Sequence, residues 1–173
     1  VDKITNQTGV YLMKITREKL IQAYGILTQL SQVKTTAKGA YGLIKNKKLV
    51  EVEVKNIEDA QKNLKYPNDL EEFHSKRIAL CNEFADKDEE GKVKTEGSSF
   101  IISPESRVLF DAKFAELVSE YKETLDTQQK VDNDFRVFLA EEIEFTVYSI
   151  KIDDMPDDIS AAQLEVLGDI VVD

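Results

Sequence analysis

Apolar residues recur at helical spacing along most of this chain, with one stretch that alternates in strand fashion. Leu20, Tyr24, Leu27 and Leu30 fall on one helical face, Thr16 stands at an N-cap position and Glu18 lies in the first turn. A helix over 17–32 follows. Leu43, Val50, Ile57 and Leu64 repeat every seven residues, with Val54 between them. That argues for one long helix, although Val50 to Lys55 also alternate as a strand would. No Gly or Pro interrupts residues 43–66, which favours the helix; Gly39 and Gly42 weaken its start.

Pro67 ends that segment, and Asn68 or Asp69 caps a third helix over 69–86. Its apolar face carries Leu70, Phe73, Leu80, Cys81 and Phe84, with Arg77 among them. Gly91 and Gly97 mark turns in the polar stretch that follows, so a small hairpin is expected near 92–102. Ser103-Pro104-Glu105 is a helix start, with Pro at the first position and an acid in the first turn. Phe114, Leu117, Tyr121, Val131, Phe135 and Phe138 then form a seam, interrupted by Thr124 and Gln128. A long fourth helix is read from 104 to about 141, with Asp132-Asn133-Asp134 as the place where it breaks or bends.

Residues 143–152 alternate as a strand, but the phase flips between Val147 and Tyr148, which predicts a bulge. Ser160 and Gln163 form a capping box, with Ile159 and Leu164 at staple positions, for a short helix closed by Gly168. The fold class read from this pattern is mainly α (α+β). It consists of antiparallel helical hairpins or a bundle with a long fourth helix, the small hairpin and a C-terminal strand. No internal repeat or low-complexity linker divides the chain, so 1–173 is read as a single domain. Its parts are an N-terminal arm over 1–15, a helical body over 16–141 and an acidic strand–helix segment over 142–173.

Composition sharpens this picture. With 42% hydrophobic and 32% charged residues, the chain belongs with globular proteins rather than disordered ones. No run approaches a membrane span, and no basic-then-apolar leader opens the sequence. Val1 is small enough to follow a removed initiator Met. Cys81 is the only cysteine, which excludes an internal disulfide and suggests a reducing compartment. Net charge is −10, split between +6 over residues 1–66 and −16 over residues 67–173. The split either steers partners or lets a basic and an acidic half pair within one fold.

Candidate chemistry falls away on inspection. Asp86, Asp88, Glu90, Gly91 and Val93 follow a calcium-loop pattern, but its twelfth position holds Gly97 where a bidentate acid is needed. His74 and Cys81 lie two turns apart on one helix, separated by about 10 Å of rise, too far for a nucleophile and its base. One His and one Cys cannot build a four-ligand zinc site. Paired acids such as Glu141/Glu142 and Asp157/Asp158 are too abundant to single out. Gly39-Ala40-Tyr41-Gly42 lacks phosphate-loop spacing. No catalytic residue, cofactor or metal is predicted. Lys38, Lys45, Lys47 and Lys48 make the one basic cluster, and a net charge of −10 argues against nucleic acid as its partner. The terminal Ile170-Val171-Val172 demands burial, either within this chain or as a strand added to a partner's sheet.

Several short segments, in order, carry a family likeness: Met13-Lys14-Ile15, Leu27-Thr28-Gln29-Leu30, Thr36-Ala37-Lys38-Gly39-Ala40-Tyr41, the acidic turn from Asp86 to Lys92, Glu141-Glu142-Ile143-Glu144-Phe145 and Ile159 to Leu164. Together they resemble small uncharacterised helical proteins encoded by tailed bacteriophages. This chain is longer in its fourth helix and has extra residues before Met13. The resemblance implies a phage product located in the virion or the bacterial host cytoplasm, and it brings no catalytic residue with it. The expected function is that of a structural or accessory protein that binds other proteins, either virion components or itself, without catalysis. Ile170, Val171, Val172, Phe114, Tyr121 and Phe135 are the expected partner-binding residues. The alternative is an acidic inhibitor of a host nucleic-acid-binding or defence protein, resting on the ten acids in residues 139–173.

Overall fold

The computed structural model describes residues 9–173. Of the arm expected over 1–15, residues 1–8 lie outside the described part, and Val10–Thr16 forms a strand, β1. The chain continues as α1 (Arg17–Leu30), α2 (Ala37–Lys62), α3 (Leu70–Phe84), β2 (Thr95–Glu96), β3 (Ser99–Phe100), α4 (Pro104–Glu120), α5 (Lys122–Ala140), β4 (Glu142–Tyr148), β5 (Ile150–Lys151), α6 (Ala161–Leu167) and β6 (Val171–Val172). The described chain is mainly helical. Where the sequence suggests one domain, the chain gathers into two compact units. One joins the residues up to Leu64 with Asp134–Asp173; the other is Lys65–Asn133.

In the first unit, β1 pairs antiparallel with β4, from Val10 opposite Tyr148 to Thr16 opposite Glu142. Strand alternation sends Ile15 and Val147 into the core, with Tyr11, Met13, Ile143 and Phe145 packed against it. Leu20, Ala23, Leu27 and Leu30 of α1 meet Leu43, Val50 and Val54 of α2 in that core. The seven-residue repeat is therefore helical: the segment over 50–55 belongs to a 26-residue helix, and its strand-like alternation is local coincidence. Thr16 caps α1 by accepting the Lys19 N–H, as its position predicts.

Gly39 and Gly42, which weaken α2 in isolation, permit a close approach instead. A Cβ at Gly39 would overlap the Asp154 carbonyl oxygen, and one at Gly42 would lie 2.6 Å from Ile150 Cγ1. One turn on, fully buried Asn46 behaves as a strand neighbour. Its Nδ2 donates to the Tyr148 carbonyl at 2.6 Å, and the Tyr148 N–H donates to its Oδ1 at 2.8 Å. An otherwise orphaned stretch of strand backbone is satisfied by a helix side chain.

The phase flip near residue 148 is a change of partner rather than a bulge. β4 pairs with β1, whereas β5 pairs in parallel with β6, Ile150 opposite Val171. Ser149 sits between them and donates its N–H and its hydroxyl to the Gly9 carbonyl, at 2.7 and 3.1 Å. The capping box of α6 forms as read, with Ser160 and Gln163 bonded reciprocally and Gly168 at positive φ.

The second unit contains α3, α4 and the first part of α5, with a small hairpin between α3 and α4. Phe73 meets Tyr121, Lys76 meets Glu120, Lys113 meets Glu83 and Phe84 meets Phe110, so the contacts step in opposite directions along α3 and α4. The hairpin is shorter than expected, with Thr95–Glu96 against Ser99–Phe100.

The expected fourth helix over 104–141 is two helices. The break falls at Tyr121 (φ −102°, ψ 21°), not at Asp132-Asn133-Asp134, which stay helical in α5. Tyr121 is buried against Phe73 and Leu117 at the point where the helix distorts. Thr124 is a polar interruption of the seam only in sequence: it is buried and donates a short hydrogen bond to Asp69.

Candidate protein-docking surfaces

The six residues expected to meet a partner are divided between the two units, Phe114 and Tyr121 in Lys65–Asn133 and the other four in Asp134–Asp173. Ile170 is fully buried in the protein's own core, because β6 docks its chain end against β5. It is therefore unavailable to a partner, and this corrects the expectation. Val171 and Val172 are half-buried in that strand pairing. Tyr121 belongs to the core of the second unit, with Phe73 and Leu117. Phe114 is half-buried and stacks on Phe110 at 5.8 Å. Phe135, also half-buried, stacks on Phe138 at 5.8 Å.

Phe138 leads to a side-chain cluster that the hydrophobic pattern does not reveal. The Arg17 guanidinium lies 4.0 Å from the Phe138 ring centre. Its Nη1 donates to the Phe138 carbonyl at 3.0 Å and to Glu141 at 2.7 Å. A cation on the last carbonyls of α5 favours that helix end and fixes α5 to α1. Arg17 is therefore structural.

His74 and Cys81 are both half-buried on α3, and the His74 ring tilts against Phe73 at 5.6 Å. The acidic turn spends its carboxylates on its own backbone. Asp88 accepts from the N–H groups of Glu90 and Lys92, and Asp86 accepts from that of Ser103. Among the described residues no three His, Cys, Asp or Glu side chains gather as a metal would require. Tyr11 has a buried hydroxyl without a hydrogen-bond partner, and burial, with Asp169 nearby, pushes its pKa up to about 12. A surface depression of about 480 Å³ is lined by Tyr41, Tyr148, Ser149 and Lys151, and the Ser149 hydroxyl donates to the Gly9 carbonyl.

Two surfaces are conspicuous for what they expose. On the second unit, Val108 is 79% exposed, Leu109 56% and Ile78 47%. On α2, Tyr41, Ile44, Leu49 and Val52 face solvent among lysines. The sequence marks the α2 face by its lysines alone, and the inward seam does not point to Val108 and Leu109. The outward signal is present in the sequence as apolar residues left over once the inner seam is assigned. Among the described residues no helix is long and apolar enough to cross a membrane. No known protein family, curated protein or solved structure matches the chain.

Proposed function

We propose that this protein is a non-enzymatic binding protein, a structural or accessory component of the kind that tailed phages encode. We read α1 with α2, and α3 with α4, as two helical hairpins that display its docking surfaces. The supporting observation is the second unit. Its core holds only Phe73, Leu117 and Tyr121 in its main cluster, while Val108, Leu109 and Ile78 stand in solvent. Apolar side chains exposed beside so small a buried cluster favour burial by a partner.

The test is incorporation. The protein is expected in purified virions, or bound to a phage protein in infected-cell lysate, at a fixed copy number measured by mass spectrometry. Val108→Asp combined with Leu109→Lys should lower that incorporation at least about tenfold while leaving the circular dichroism unchanged. Absence of the protein from virions and from every phage protein complex overturns this reading. Removing the chain end does not serve as a test, because Ile170 belongs to the core.

A further inference from the structure

We propose that the outward face of α2 binds the acidic C-terminal segment of a second copy of this chain. The proposal rests on the reading of the protein as a binding module, but it uses a different surface from Val108 and Leu109.

The first observation is a run without acids. Between Glu18 and Glu51 the sequence contains six lysines and no Asp or Glu. Four of them, Lys38, Lys45, Lys47 and Lys48, lie on α2, and none of the four forms an ion pair among the described residues. The second observation is the geometry of that face. Tyr41, Lys45, Lys48 and Val52 are spaced four, three and four residues apart, so they line one outward stripe opposite the buried Leu43, Val50 and Val54. Tyr41 is 51% exposed and Val52 63%, with Lys45 lying 5.4 Å from the Tyr41 ring centre. Apolar groups between unpaired lysines make a face that gains from a partner offering both carboxylates and aliphatic surface.

The chain itself carries the complement. Residues 139–173 hold ten acids and one lysine. Among the described residues only Glu141 of these acids forms an ion pair, with Arg17. Asp153, Asp157, Asp158, Glu165 and Asp169 are exposed. Asp154, by contrast, accepts a hydrogen bond from Thr36 at the start of α2. An unpaired basic face and an unpaired acidic face on the same protein are mutually complementary between copies. The net charge of −10 repels copies at long range, so added salt would relieve that repulsion and weaken the local contact. The direction of the salt effect therefore reports which one governs.

Sedimentation velocity of the full chain at about 0.05 M and about 0.5 M salt tests the proposal. Association is expected at low salt and loss of it at high salt. Lys45→Glu with Lys48→Glu should weaken association at least about tenfold, as should Asp157→Lys with Asp158→Lys. Mixing the two variants should restore association, because each then carries the charge the other has lost. A wild type that stays monomeric at low salt overturns the proposal, as does a mixture that fails to associate. So does a basic face that, without self-association, binds oligonucleotides or anionic vesicles through the same lysines. These outcomes leave the Val108 and Leu109 incorporation test untouched, so the two readings fail separately.

Discussion

The two compact units are held together by different forces. The unit containing β1 and β4 buries thirteen core residues, adds two glycines at close backbone approach and closes a strand with the buried Asn46. Lys65–Asn133 has a three-residue main cluster, buries Phe110 against Phe84, and adds ion pairs between α3 and α4, Lys76 with Glu120 at 2.9 Å and Lys113 with Glu83 at 2.8 Å. Those ion-paired side chains are 43–59% exposed, and exposed pairs contribute about 0–1 kcal/mol each. The contrast teaches that close packing fixes one unit and surface charge trims the other, so they should respond differently to mutation, salt and pH.

The sharpest way to break the contrast is Gly39→Ala. The new methyl would overlap the Asp154 carbonyl, so a loss of about 3 kcal/mol is expected in chemical denaturation. An unchanged midpoint would mean that α2 does not press on the strand end as described. Asn46→Ala should follow at about 2 kcal/mol, because it strands the Tyr148 N–H and carbonyl without partners. In the second unit Lys76→Met should change stability by less than about 1 kcal/mol. Its amides should also exchange with solvent faster than those of α1 and α2, a difference hydrogen exchange would measure.

Titration gives the most selective test. The Tyr121 hydroxyl and then Lys76 hold the Glu72 carboxyl below its ordinary value. That contribution is present above the unfolded pKa and is lost as pH falls through the folded one, so acid should loosen the α3–α4 pair first. Tyr11 has the opposite sign. Its contribution is complete below 10.0 and is lost as pH rises towards about 12, so alkali should loosen the first unit. Tyr11→Phe should remove this alkaline step in a stability-versus-pH series, and persistence of the step would assign it to another group.

What could be read from the sequence was local. The Thr16 cap and the Ser160–Gln163 capping box are specified by residues within a few positions of one another, and the helix through Val50–Lys55 by a repeat along its own length. What could not be read was decided across the chain. The break at Tyr121 falls where that residue packs on Phe73, the glycines of α2 depend on Asp154 and Ile150, and the phase flip on β1 and β6. The exposure of the seam residues was half legible. Phe114 and Phe135 were picked out as apolar, but whether a seam residue faces a neighbour or water depends on partners that helical spacing does not name.

The pairing of β1 with β4 also sets an order of events during synthesis. Arg17 and Glu141 are 124 positions apart, and the N-terminal unit cannot close until the residues after Asp134 have emerged. Lys65–Asn133 is continuous and its helix contacts are nearer in sequence, so it is able to form first. Once formed, it shortens the loop that the strand pairing must close and lowers the entropic barrier to that step. Until then the inner face of β1 waits with its apolar residues uncovered. This makes the nascent chain, rather than the finished fold, the stage most exposed to aggregation.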